Sequence, residues 1–113
     1  MKKEYPYKRF MIEEGVADES NQFNYYFMVT DQGEKVAHFV VHVADEVLAE
    51  SEPFDKGCRS VIEDQFVAKH RPEWQRWVQE KLDDGIHRDM LLLIDRHQAK
   101  EVDMLKELEK RAV

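Results

Sequence analysis

The stretch QFNYYFMVTDQGEKVAHFVVHV, residues 22–43, decides the fold because two runs of alternating apolar residues flank a turn. A period of two, built from aromatic and β-branched residues, is typical of strands with one buried face. The turn DQG, residues 31–33, predicts a three-residue hairpin loop that pairs Thr30 with Glu34 and keeps one continuous apolar face. The residues expected on that face are Phe23, Tyr25, Phe27, Val29, Ala37, Phe39, Val41 and Val43.

A third strand is predicted in YKRFMIEE, residues 7–14, where Phe10 and Ile12 alternate with polar neighbours. The sheet half of the chain is therefore expected in residues 1–50, as a three-stranded antiparallel meander. In the hairpin register above, Tyr26 lies opposite His38 on the second, less apolar face of this sheet.

The helical half is expected in residues 51–113, where the apolar period lengthens. Two short helices meet at Pro72, because the residue before a proline is disfavoured in the α conformation, and the second of them ends at Gly85. A long C-terminal helix is expected from about His87 to Arg111, roughly 37 Å at about 1.5 Å per residue. The run MLLLID, residues 90–95, also fits a buried strand, but its leucine content and charged, periodic continuation favour a helix.

The predicted fold class is thus α+β in a single domain, residues 1–113, with the two short helices and the long C-terminal helix packed on one sheet face. No apolar run approaches the roughly 18 residues that a membrane-spanning helix needs. The single cysteine, Cys58, permits no internal disulfide, which favours a cytoplasmic location.

The charge of the chain, −7 overall, argues against binding to duplex nucleic acid. The imbalance lies in residues 1–55, which contain 5 Lys or Arg against 12 Asp or Glu. Single-stranded nucleic acid, with Trp74 stacking on bases, is disfavoured for the same reason, and the spacing of Trp74 and Trp77 favours a core role. The sequence contains no glycine-rich phosphate loop, CxxC pair or Gly-x-Ser-x-Gly elbow, so no cofactor is predicted.

His38 and His42 form a His-x-x-x-His pair whose meaning depends on the local structure. In a helix the two side chains can share a zinc ion, but in a strand they lie roughly 13 Å apart. Because a strand is predicted, the pair alone is not a metal motif. Hydrogen-bonded histidines on a half-polar face are one interpretation, and a cleft in which a histidine acts as base or ligand is the other.

A second pair, His97 and Glu101, lies within the apolar stripe of the predicted C-terminal helix. If that helix packs on the face of His38 and His42, the four residues can converge into a metal site, with Tyr26 and Glu101 as further catalytic candidates. Otherwise His97 and Glu101 are a polar pair at the edge of the core or in a dimer seam.

The leading functional prediction is a non-enzymatic homodimer that binds another protein, because the long helix and exposed sheet edges need a partner. Its expected interface residues are Leu105, Leu108 and Ala112. The alternative is a small enzyme or a metal- or ligand-binding protein with a pocket between the C-terminal helix and the histidine face.

Overall fold

The computed structural model of the chain describes residues 3–19, 22–44, 46–47, 59–95 and 99–104. Six strands and one long helix lie within these ranges, and none of the described helical residues forms a segment long and apolar enough to cross a bilayer. In chain order the elements are β1 (Lys3–Tyr7), β2 (Phe10–Glu19), β3 (Gln22–Asp31), β4 (Glu34–Val43), α1 (Arg59–Asp83), β5 (Met90–Ile94) and β6 (Ala99–Asp103).

All six strands join one mixed sheet in the order β1-β2-β3-β4-β5-β6. Every neighbouring pair is antiparallel except β4 and β5, which run parallel. Parallel neighbours require a crossover, and α1 lies in the segment that connects β4 to β5. The class α+β broadly fits, but the predicted arrangement of three strands and three helices is wrong.

The hairpin between β3 and β4 has a tighter turn than the predicted one. Gln32 and Gly33 both have positive φ, 53° and 84°, which is typical of a two-residue type I′ turn and pairs Asp31 with Glu34. The register then shifts by one residue between Val29 and Thr30 in a β-bulge.

Turn and bulge together move the partners of β3 by two residues along β4. Tyr26 therefore pairs with Val40 instead of His38, and Phe27 pairs with Phe39. Because a shift of two residues keeps every side chain on its original face, the predicted apolar face is correct although its register is wrong.

The long C-terminal helix predicted from His87 is also wrong over its described part. Residues 90–94 and 99–103 form the β5–β6 hairpin. In β5, Leu92 and Ile94 lie beside Val41 and Val43 of β4. A strand inside a sheet contacts neighbours on both faces, so an uninterrupted apolar run suits β5 as well as it suits a helix.

The two short helices predicted around Pro72 are one helix, α1, with Pro72 in its interior. A proline there costs about 3 kcal/mol because it removes a hydrogen bond and crowds a carbonyl group. Phe66 before the proline and Trp74 and Val78 after it are buried in the same core. Packing on both sides of Pro72 therefore outweighs its local cost.

The predicted first strand, residues 7–14, is divided by a turn. Lys8 has a φ of 53° and lies between β1 and β2, so that Tyr7 pairs with Phe10. The sequence pattern identified β2 and missed β1, whose residues KEYPY show little alternation in hydrophobicity.

The core lies between α1 and one face of the sheet, which we call the helix face. Trp74 packs on Tyr25 and Trp77 on Phe39, with ring centroids 5.4 Å and 5.6 Å apart. The buried core side chains are Phe10, Ile12, Phe23, Tyr25, Phe27, Val29, Ala37, Phe39, Val41, Val43, Phe66, Trp74, Val78, Leu82 and Met90.

Candidate functional site

We call the other side of the sheet the open face. Most of its described side chains are half-buried, whereas those on the helix face are mostly buried. Strand alternation places on the open face the residues Glu13, Gly15, Ala17, Asn24, Tyr26, Met28, His38, Val40, His42, Leu91 and Leu93. The described residues of α1 that are buried pack on the helix face. The open face is therefore where a binding partner can contact strand side chains.

A groove of about 400 Å³ crosses this face. Its lining residues are Ala17, Asn24, Tyr26, His38, Val40, Asp89, Met90, Leu91 and Met104. Tyr26, Val40 and Leu91 form one row across three strands and make its floor. Asp89 and Met104, which flank β5 and β6, line one end.

The Tyr26 side chain is positioned by its neighbours on β2. Its hydroxyl donates a hydrogen bond to Glu13 Oε2 at 3.2 Å. Directly opposite Tyr26 is Gly15, where an added Cβ would lie 3.3 Å from the Tyr26 ring. The missing side chain of Gly15 thus makes room for the aromatic ring on the open face.

His42 and Asn24 form a polar pair beside the groove. His42 Nδ1 lies 2.8 Å from Asn24 Oδ1. Since an amide oxygen only accepts, Nδ1–H of His42 donates to it. This bond occupies the Asn24 oxygen and leaves the Asn24 amino group, a hydrogen-bond donor, available toward the groove.

Two residues that line the groove, Tyr26 and His38, have perturbed pKa values. Burial and the hydrogen bond to Glu13 raise the pKa of Tyr26. Burial lowers the pKa of His38, the charge of Lys35 lowers it further, and Asp89 opposes the shift. The ring packs edge-on to Tyr26, with centroids 6.4 Å apart, and no described residue forms a hydrogen bond with it. His38 therefore presents a neutral imidazole, with one donor and one acceptor nitrogen.

The predicted site residues divide between the two faces. His38, His42 and Tyr26 share the open face, whereas Glu101 lies on the helix face and accepts hydrogen bonds from Trp77 Nε1 and Lys81 Nζ, each at 2.7 Å. His97, Leu105, Leu108, Ala112 and Cys58 lie outside the described residues.

The structure does not bring Glu101 to the histidines, because residues 99–103 form a strand with Glu101 opposite Leu92. The strand also keeps His38 and His42 roughly 13 Å apart. Among the described residues, no group of three or more His, Cys, Asp or Glu side chains is arranged to hold a metal ion.

A second polar cluster, absent from the sequence predictions, surrounds Glu14 on the helix face. The Glu14 side chain is fully buried and accepts hydrogen bonds from Tyr5 and Tyr25, each at 2.8 Å. Gln75 Nε2 donates to it at 3.1 Å, and Arg71 Nε forms a salt bridge with it. We call these five residues the Glu14 cluster.

The electrostatics of the Glu14 cluster favour a carboxylate that is ionised at neutral pH. Burial alone would raise the pKa of Glu14, but the hydrogen bonds from Gln75, the tyrosines and Arg71 outweigh it and lower the pKa. Burial and the bond to Glu14 raise the pKa of both Tyr5 and Tyr25. The signal in the sequence is that Glu14 continues the alternation of Phe10 and Ile12, so a charge occupies a core position.

Comparison with family models, with curated proteins and with solved structures gives no match to this chain. Geometry is therefore the guide to function. The Glu14 carboxylate is buried between α1 and the sheet and accepts hydrogen bonds from both, so it holds the two layers together. Among the described residues, the groove on the open face has donor and acceptor groups without partners, so it is the candidate binding site.

Proposed function

We propose that this chain is a non-enzymatic, cytoplasmic protein-interaction module that acts as a homodimer joined along β6. The single observation that supports the dimer most strongly is the difference between the two edges of the sheet. β1 and β6 are the outermost of the described strands, and only β1 contains a proline.

The β1 edge carries features that oppose strand addition. Pro6 lies within it and has no backbone N–H, and Lys3 and Glu4 are charged and exposed. Proline and charge at an edge are the usual means by which proteins prevent edge-to-edge pairing. The β6 edge, with the sequence AKEVD, is also charged, but it contains no proline, so each of its residues keeps a backbone N–H for pairing.

The β6 strand is also held firmly in position for pairing. Trp77 and Lys81 of α1 bind Glu101, and Arg88 binds Asp103 Oδ2 at 2.7 Å. An edge that is already ordered loses little conformational entropy when a second strand joins it. These contacts therefore favour β6 as the strand that pairs.

Antiparallel pairing of two β6 strands about a two-fold axis joins two six-stranded sheets into one of twelve strands. Leu105, Leu108 and Ala112, the interface residues predicted from sequence, follow β6 in the chain and lie outside the described residues. Their proposed role is to supply apolar contacts in the dimer.

The charge of −7 guides the choice of partner for the dimer. Like-charge repulsion opposes contact with a phosphate backbone, and attraction favours a protein with a basic surface. Duplex nucleic acid and membranes are accordingly not proposed as partners, and no cofactor is proposed.

Native mass spectrometry over a range of protein concentrations tests the dimer. We expect a two-chain species in the unmodified protein and monomers in Leu105→Glu and Leu108→Glu. The matched control is Val16→Glu, since Val16 is a 40% exposed apolar residue on β2, far from β6 in the strand order. A monomer at every concentration, or loss of the dimer in the control as well, contradicts the proposal.

Hydrogen exchange separates strand pairing from other modes of association. The amides of residues 100–102 are expected to exchange more slowly as protein concentration rises, because pairing places some of them in new backbone hydrogen bonds. The amides of β1 serve as the internal control and should not change. If a dimer forms but hydrogen exchange in β6 does not change, the homodimer proposal stands and the β6 interface is wrong.

A further inference from the structure

We propose that the groove of the open face is a binding site for a small, flat aromatic cation, of the arylamidine or arylammonium class. This ligand site goes beyond the proposed dimer and does not depend on it. The volume of the groove, about 400 Å³, falls in the range of roughly 300–1,000 Å³ that is typical of small-molecule sites.

The floor of the groove favours a flat, apolar ligand body. Val40 and Leu91 are adjacent in the parallel β4–β5 pair, and Tyr26 pairs with Val40 from the other side. Such a row across three strands forms a shallow platform on which an aromatic ring can lie. Met104, 41% exposed, borders the platform with a flexible thioether that adapts to the ligand.

The charges around the groove favour a cation. Among the described lining residues Asp89 carries a full negative charge and none carries a positive one, because His38 is held neutral. Glu13 adds a second carboxylate behind the Tyr26 hydroxyl. The Tyr26 ring itself offers a cation–π contact.

Lys35 is the one described cation that competes for Asp89. Its Nζ lies 3.6 Å from Asp89 Oδ1, and both side chains are about half exposed, at 50% and 53%. An ion pair exposed to this degree contributes at most about 1 kcal/mol, so a bound ligand can replace it.

Hydrogen-bond acceptors for the polar end of the ligand lie at the Asp89 end of the groove. The acceptor nitrogen of His38 and the Asp89 carboxylate can each accept an N–H bond from an amidinium group. Both residues line the groove, and His38 has no hydrogen-bond partner among the described residues. A planar ligand with N–H donors at one end satisfies both.

The test uses benzamidine, benzamide and benzoate, which share one ring and similar size but differ in charge. Binding is followed by ¹⁵N chemical-shift titration, which reports affinity and location together. We expect benzamidine to bind up to about fivefold more tightly than benzamide and benzoate to bind weakest, since a charged contact at a half-exposed carboxylate contributes at most about 1 kcal/mol. The shifts should centre on Tyr26, His38, Val40 and Leu91.

Two variants make the test specific. Asp89→Asn should reduce benzamidine affinity by up to about fivefold and leave benzamide unchanged, whereas Asp84→Asn, in the exposed turn after α1, should change neither. Equal affinity for all three compounds, tightest binding of benzoate, or shifts that map outside the groove would overturn the proposal. Benzamidine affinity should be the same at protein concentrations below and above those at which the dimer forms, which separates this result from the fate of the dimer.

Discussion

Replacement of Glu14 by Gln tests whether the Glu14 cluster holds the helix on the sheet. The substitution keeps the size of the side chain but removes its charge and one of its two acceptor oxygens. Four donors currently share that carboxylate, from Tyr5, Tyr25, Arg71 and Gln75. In the variant some of these donors lose their acceptor, and Arg71 keeps a positive charge without its partner.

The expected loss in the free energy of unfolding follows from the burial of Glu14 and Arg71. The Glu14 side chain is fully buried and that of Arg71 is only 24% exposed. Breaking a buried ion pair by removing one partner typically costs about 3–5 kcal/mol, and tyrosine hydroxyls that rotate to accept from the new amide recover part of it. We expect a loss of about 3 kcal/mol, a large share of the roughly 5–15 kcal/mol that stabilises a typical domain.

Urea denaturation of a double-mutant cycle isolates the pair. Glu14→Gln, Arg71→Met and the double variant should show a coupling energy of about 1–3 kcal/mol, because the second change removes the unpaired charge left by the first. The matched control is Glu101→Gln, which breaks the pair with Lys81 at a side chain that is 43% exposed and should cost less than about 1 kcal/mol. Equal costs for Glu14→Gln and Glu101→Gln, or simple additivity in the cycle, would refute the reasoning.

Two further predictions concern a histidine and a turn. Because burial lowers the pKa of His38, its contribution to stability is fully present above the unfolded pKa of about 6.5 and is lost as pH falls below it. Thermal unfolding should therefore show a smaller loss of Tm on acidification from about pH 7.5 to about pH 5.5 in His38→Gln than in the unmodified protein, and an identical loss would contradict this assignment. Gln32→Asn should raise the free energy of unfolding by about 0.5–1 kcal/mol, since asparagine tolerates the left-handed conformation of this turn better than glutamine. Gly33→Ala should lower it, and urea denaturation that ranks the two variants in the opposite order would count against the turn geometry.

The apolar face of β3 and β4 was predictable from sequence because strand alternation is a local property. Phe27 and Val41 are buried as the period of two requires. The register was not predictable, because it depends on whether Gln32 accepts a positive φ and on where a bulge shifts the pairing. Neither feature leaves a clear mark on composition, since glutamine is an uncommon residue in the left-handed region.

The prediction for the helical half was wrong for a different reason. Contacts with the rest of the domain decided between two structures that were each acceptable locally. The MLLLI run becomes a strand because β4 has a free edge on which Leu92 can pack beside Val41. Likewise α1 continues through Pro72 because Phe66 and Trp74 are buried in one core. Propensity rules describe the conformational preference of an isolated segment. The free energy gained by packing in the whole domain exceeds this preference by several kcal/mol.

Two neighbouring tyrosine–carboxylate pairs show how the same alternation produces both a structural and a binding site. On the helix face, Tyr25 binds Glu14, and α1 supplies the cation through Arg71. One residue away along each strand, Tyr26 binds Glu13 on the open face, and no described lysine or arginine pairs with this carboxylate. The pair of Tyr25 and Glu14 has its counter-ion and stabilises the fold. The pair of Tyr26 and Glu13 has no such counter-ion among the described residues. A ligand that carries its own positive charge and a flat apolar body supplies what the open face lacks, which is why the groove favours an aromatic cation.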